Sequence, residues 1–159
     1  MKWRAAVYAG FVAGFLATGA EIVLWALFTD ALPGIFFRDA RFAAAIPLGR
    51  DALSGTANAD WDVWVVATLV HLALSVAYAS ILGLLIRRLS LYSCLLAGAA
   101  FGLVLFAINM YGFTTLFPWF EAARDWITAT AHVVFGVAAA GVYAVLSGRR
   151  AGTATTVES

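Results

Sequence analysis

Four residues with chemistry to offer lie inside apolar stretches: Glu21, His71, Asn109 and His132. The two histidines, the protein's only ones, sit in strings that resemble each other. His71-Leu72-Ala73-Leu74-Ser75-Val76-Ala77-Tyr78-Ala79 is matched by His132-Val133-Val134-Phe135-Gly136-Val137-Ala138-Ala139-Ala140. A small residue one helical turn after each histidine, then Val-Ala and a further Ala, fall at the same offsets. Glu21 and Asn109 correspond in the same way. Each follows at one offset the first glycine of a pair, Gly10 and Gly14 in one case, Gly98 and Gly102 in the other.

Helical spacing places each polar residue on a stripe of small or polar side chains. The stripes are Gly10, Gly14, Ala17 and Glu21; Trp64, Thr68, His71, Ser75 and Tyr78; Gly98, Gly102, Leu105, Asn109 and Gly112; and Thr128, His132, Gly136, Ala139 and Tyr143. Small stripes let helices approach closely, and polar groups belong inside a bundle rather than in lipid. Counted from one common end, Glu21, His71, Asn109 and His132 all lie about two turns in, so they are expected to meet in one layer.

Several kinds of chemistry suit such a layer. The plainest is structural: the four groups hydrogen-bond one another and lock the bundle, each bond worth about 0.6 kcal/mol on average. A b-type haem with His71 and His132 as axial ligands is a second, because Ser75 and Gly136 leave room for a porphyrin edge one turn from each histidine. A metal site built from Glu21, His71 and His132 is a third, although no HxxxH or ExxH spacing supports it. Proton-coupled transport of a small molecule is a fourth, since a lone membrane glutamate can carry a proton. No enzyme signature is present: there is no GxSxG, HExxH, P-loop or dinucleotide-binding glycine pattern. Both glycine pairs are GxxxG, a helix-packing spacing.

The elements that must position these residues follow from composition. The chain of 159 residues is 64% hydrophobic and only 12% charged, with a net charge of +1, and its mean hydropathy is +0.91. Too little polar surface remains to cover a water-soluble core, so an integral membrane protein is expected. A balanced charge with no basic patch argues against a nucleic-acid partner. Cys94, the lone cysteine, excludes an internal disulfide.

Four apolar runs, Ala5 to Phe28, Val63 to Ile86, Leu91 to Phe113 and Trp126 to Leu146, are long enough to cross a bilayer. The first is read as a retained helix, being longer than a signal-peptide core and without a good cleavage site. Pro33-Gly34 breaks it. Ile35 to Ile46, with Arg38, Asp39 and Arg41 among aromatics, is too short and charged to span, and reads as an interfacial helix ended by Pro47. Residues 54–58 read as a flexible turn before Asp60 or Asp62 caps the next helix. The connection through Arg87-Arg88 is short, so the second and third runs are expected to form a tight antiparallel hairpin. Residues 149–159 are expected to be a disordered tail.

Lys2, Arg4, Arg87, Arg88, Arg149 and Arg150 share one side. Acids predominate on the other, where Asp30, Asp39, Asp51, Asp60, Asp62, Glu121 and Asp125 outweigh four arginines. The positive-inside rule puts both termini in the cytoplasm. Trp25, Trp61, Trp64, Trp119 and Trp126 fall near the outer boundary, as an interfacial aromatic belt would. Two helices per half give both halves the same orientation, hence a 2+2 parallel repeat, about 5–88 and 91–148.

The stretch from Ala67 to Tyr143 resembles the YagU-like family of proteobacterial inner-membrane proteins. The resemblance rests on the His71 helix with Ser75-Val76, Leu95-Leu96-Ala97-Gly98-Ala99, Pro118-Trp119-Phe120-Glu121 and the His132 helix. Phe28-Thr29-Asp30-Ala31-Leu32-Pro33 and Phe37-Arg38-Asp39-Ala40-Arg41 are similar to short four-helix proteins labelled sodium:proline symporter. Four spans are too few for the broken-helix sodium site such a symporter needs. The resemblance therefore implies fold and location, and no activity.

The expectation is an all-α, multi-pass protein of the bacterial inner membrane. It is a single domain, a four-helix bundle with a buried polar layer in its outer half. Its expected role is that of a non-enzymatic accessory or binding subunit, in contact with the bilayer and with a membrane-protein partner or further copies of itself.

Overall fold

The computed structural model describes residues 2–54 and 61–148. The described residues are almost entirely helical and contain no strand. Helix α1 spans Trp3–Phe28, α2 Gly34–Leu48, α3 Trp61–Ile86, α4 Leu91–Ala107 and α5 Trp126–Leu146. A 3₁₀ turn at Arg50–Leu53 follows α2. After α4 the chain passes through a π-helical turn, Ile108–Gly112, and 3₁₀ turns at Phe113–Thr115 and Pro118–Ala123.

Four segments are long and apolar enough to cross a membrane: Trp3–Phe28, Trp61–Ile86, Leu91–Thr115 and Trp126–Leu146. Their outward faces carry large apolar side chains, among them Phe15, Leu27, Leu69, Leu85 and Val145, each more than half exposed. Inside, the contacts are made by small residues: Ala5, Ala6, Ala9, Ala13 and Ala17 of α1 meet Ala139, Ala140 and Ala144 of α5 in one buried cluster. Large apolar side chains outside and an alanine-rich α1–α5 seam inside, beside larger buried residues such as Leu82, Ile86 and Tyr143, fit helices packed closely within lipid.

The ends of the helices are set locally. The Thr29 hydroxyl donates to the Trp25 carbonyl at 2.8 Å and closes α1. Ser90 caps α4 by accepting from the Ser93 amide at 3.3 Å, and Asp125 caps α5 by accepting from the Thr128 amide at 2.8 Å. Lys2 Nζ donates to the Ser147 carbonyl at 3.1 Å, so the start of α1 lies beside the end of α5.

Helix α5 packs along both α1 and α4, α1 packs on α3, and α2 lies across α3. By contrast α3 and α4, though joined by a short turn, touch only sparsely, so the tight hairpin expected from the short connection is not formed; each packs on another helix instead, α3 on α1 and α4 on α5. Glycines set the closest approaches. A Cβ on Gly10 would stand 2.6 Å from Val76 Cα, and one on Gly102 would stand 2.8 Å from Val133 Cα and would also strike the His132 carbonyl oxygen. Between Gly98 and Gly136 the same holds in both directions, each Cβ meeting the other's backbone.

Four further details differ from the sequence expectation. Helix α2 continues one residue beyond Pro47, because proline in a last turn costs only one terminal hydrogen bond. The third run is not a uniform α-helix: its pitch widens at Ile108, one residue before Asn109. Trp25 is 2% exposed and lies in the interior rather than in a boundary belt. The reason is helical: it continues the Gly14, Ala17, Glu21 stripe by one more turn. Trp64 packs against Phe36 and Phe37 of α2, and Trp119 donates to the Phe42 carbonyl at 3.1 Å, while Trp61 and Trp126 are exposed. Finally, α3 begins at Trp61 with the Asp62 carboxylate accepting from the Val63 amide. The Asp60 alternative, most of the 54–58 turn and the 149–159 tail lie outside the described residues.

Candidate functional site: a cavity inside the bundle

Where α3 and α4 diverge, the bundle encloses a cavity of about 390 Å³. Glu21, His71, Asn109 and His132 all line it, as do Thr18, Asp39, Tyr78 and Thr128. The rest of the wall is apolar apart from Ser75, mostly aliphatic with Phe113, Phe117, Phe120 and Phe135 among it. Helix α2 and the Pro118–Ala123 turn contribute wall residues at the end of the cavity remote from the termini. An edge-on contact between Phe42 and Phe120, centroids 5.7 Å apart, ties those two elements together.

Two of the four expected residues bond directly. His132 Nδ1 is 2.8 Å from the Thr128 carbonyl, which can only accept, so Nδ1 carries the proton and Nε2 has the lone pair. Asn109 then donates its amide N–H to His132 Nε2 at 3.2 Å. This orientation turns Asn109 Oδ1 to the Tyr78 hydroxyl, which donates to it at 3.0 Å. Tyr78, Asn109 and His132 thus form one directional chain across α3, the π turn and α5. Asn109 is the second residue of that π turn. Its loosened backbone is held from the other side by Arg124, which bonds the Met110 carbonyl and the Thr114 hydroxyl, and whose guanidinium lies 4.7 Å from the Tyr111 ring centre.

The other two residues are held separately. The Thr128 hydroxyl donates to Glu21 Oε1 at 3.2 Å. His71 Nε2 lies 3.4 Å from the Gly14 carbonyl and 3.3 Å from Thr18 Oγ1. His71 is itself exposed and lines the cavity. The expected four-membered layer is therefore one cavity with two anchored sets, Tyr78–Asn109–His132 extended through Thr128 to Glu21, and His71 with Gly14 and Thr18, not one mutual hydrogen-bond ring.

At the α2 end, Asp39 accepts from Arg38 Nε at 2.7 Å. Burial pushes the Asp39 carboxyl above its ordinary value, and the Arg38 bond only partly offsets this. Asp39 and Thr18 went unselected in the sequence reading because α2 was assigned to an interface and threonine is common in helices. Tyr78 and Thr128 stood on the right stripes. Their signal was the shared face with His71 and His132.

The geometry bears on two of the cofactor expectations. Among the described residues, no three His, Cys, Asp or Glu side chains gather around a point that could hold a metal ion, so Glu21, His71 and His132 are not a ligand set. For haem, an axial histidine must turn a free ring nitrogen to the iron. Both nitrogens of His132 are engaged by Asn109 and Thr128, and His71 Nε2 faces Gly14 and Thr18. This arrangement does not fit bis-histidine ligation.

The fold and site together define an all-helical chain with four candidate membrane spans and an internal cavity lined by a few polar groups. Comparison with family models, curated proteins and solved structures returns no match.

Proposed function

We propose that this is a multi-pass bacterial inner-membrane protein that binds a small molecule in the cavity between its helices, as a non-enzymatic binding or accessory subunit. The observation that carries the proposal is the cavity: about 390 Å³, mainly apolar, with a few converging polar groups. That is the usual constitution of a small-molecule site. The YagU-like resemblance agrees with the location.

The finer architecture belongs to the same proposal. Gly10 and Gly14 of α1 pack on Ser75 and His71 of α3, and Gly98 and Gly102 of α4 pack on Gly136 and His132 of α5. This correspondence supports a 2+2 parallel duplication, with each glycine pair serving its own half's histidine helix. The Lys2–Ser147 contact and the basic residues at that end support termini that share the cytoplasmic side.

Cysteine accessibility tests the cavity. Ala43→Cys and Ala131→Cys place thiols on its wall, whereas Ala140→Cys and the native Cys94 are fully buried elsewhere. A small water-soluble methanethiosulfonate is expected to label the two wall positions and neither control. Wall thiols as inert as Cys94 would show that the cavity is closed to ligands, and would leave the polar groups a purely structural role.

A further inference from the structure

We propose that the cavity takes an organic cation, a protonated amine or quaternary ammonium carrying an aliphatic or aromatic body, with Glu21 as its counter-ion. This rests on the small-molecule reading above and specifies its ligand class.

The charge pattern inside the cavity is one-sided. Glu21 and Asp39 line it, and among the described residues no lysine or arginine does. Asp39 is matched by Arg38 at 2.7 Å. Glu21 receives only the neutral Thr128 hydroxyl at 3.2 Å, and no ion pair to it is found among the described residues. A carboxylate away from bulk water gains most from a cation brought to it, and an anionic ligand meets repulsion there.

The wall supplies a second, independent preference. Tyr78, Phe113, Phe117, Phe120 and Phe135 all face the cavity. Aromatic faces attract ammonium groups, most strongly where water is excluded, and quaternary ammonium recognition commonly uses such walls. The same rings would cover the apolar body of the ligand. A bare metal ion gains nothing from them, and the donors for one are not gathered.

The test uses three probes of one shape: benzyltrimethylammonium, its neutral isostere neopentylbenzene, and the anion phenylmethanesulfonate. Equilibrium dialysis is run against the full chain in zwitterionic nanodiscs, with empty nanodiscs subtracted. The expected result is saturable binding of the cation, no binding of the anion, and at least a tenfold loss of cation affinity in Glu21→Gln. Glu21→Asp should retain part of the affinity, and thermal melting confirms that both variants fold. Neutral and anionic probes binding as well as the cation, with no effect of Glu21→Gln, would overturn the cation assignment while leaving a binding cavity in place. Binding of none of the three, with the wall cysteines reactive, would also overturn the cation assignment. Binding of none with those cysteines inert would overturn both.

Discussion

Replacing Gly102 with alanine adds one methyl group where there is no room for it. The new Cβ would lie 2.8 Å from both the His132 carbonyl carbon and Val133 Cα, and closer still to the His132 carbonyl oxygen. These are backbone atoms of α5, so no side chain can swing aside; the helices must separate. Overpacking of this kind costs typically 1–3 kcal/mol, and backbone obstruction puts Gly102 at the upper end, about 3 kcal/mol. Alanine returns about 1 kcal/mol of helix propensity. The net loss is about 2 kcal/mol. At roughly 2–4 °C per kcal/mol for a chain of this size, the melting temperature should fall by about 4–8 °C. Gly19→Ala is the control: nothing lies within 4 Å of its added Cβ, so only the propensity gain remains and stability should rise slightly. Both variants can be melted in the same nanodiscs and followed by circular dichroism. If Gly102→Ala melts with the parent protein, or Gly19→Ala falls as far as Gly102→Ala, the close α4–α5 contact is not what holds the bundle.

Three other outcomes are expected. Tyr78→Phe removes the donor that orients Asn109, and should cost about 0.6 kcal/mol alone; combined with His132→Ala the two effects should be non-additive by at least about 0.5 kcal/mol, and additive losses would show that Asn109 does not link them. Protein purified from haem-replete cells should show no Soret band, because His132 has both nitrogens engaged; a band that disappears in His71→Ala or His132→Ala would mean that the Asn109 contact yields to iron. Asp39 contributes a pH dependence of known sign. Its carboxyl is raised by burial, so its stabilising contribution is complete below the ordinary aspartate range and is lost as pH rises through the raised value. Thermal stability should therefore decline with pH over that acid interval, and Asp39→Asn should flatten the decline; an unchanged slope would place the titration elsewhere.

Four helices of membrane-crossing length were legible because they come from long, nearly uncharged runs, and those runs ended within a few residues of the observed α1, α3 and α5. The polar residues of interest were legible for the same reason: Glu21, His71, Asn109 and His132 stand out where apolar side chains are the rule. Stripe analysis also reached the close contacts. Gly10 and Gly14 do face α3, and Gly98 and Gly102 do face α5.

Periodicity failed where the local geometry departs from a straight helix. It could not see the π turn at Ile108–Gly112, because such a turn leaves composition unchanged. It also placed Trp25 in a belt by depth alone, although the stripe through Glu21 carries it inward.

What the sequence by itself determined is the number of membrane-length helices and the inward glycine faces of α1 and α4, because both follow from long apolar runs and a fixed helical pitch. On α3 the buried face runs through Val63, Ala67, Ser75 and Ala79, and Thr68 of the expected stripe is exposed. What only the tertiary structure decided is how those faces meet. Asn109 joins His132, Thr128 joins Glu21, His71 turns to Gly14 and Thr18, and α3 stands far enough from α4 to leave a cavity. Pairings of this kind depend on ångström-scale helix separations and rotations, which glycine contacts and a single widened turn set, and which no residue pattern along one helix contains.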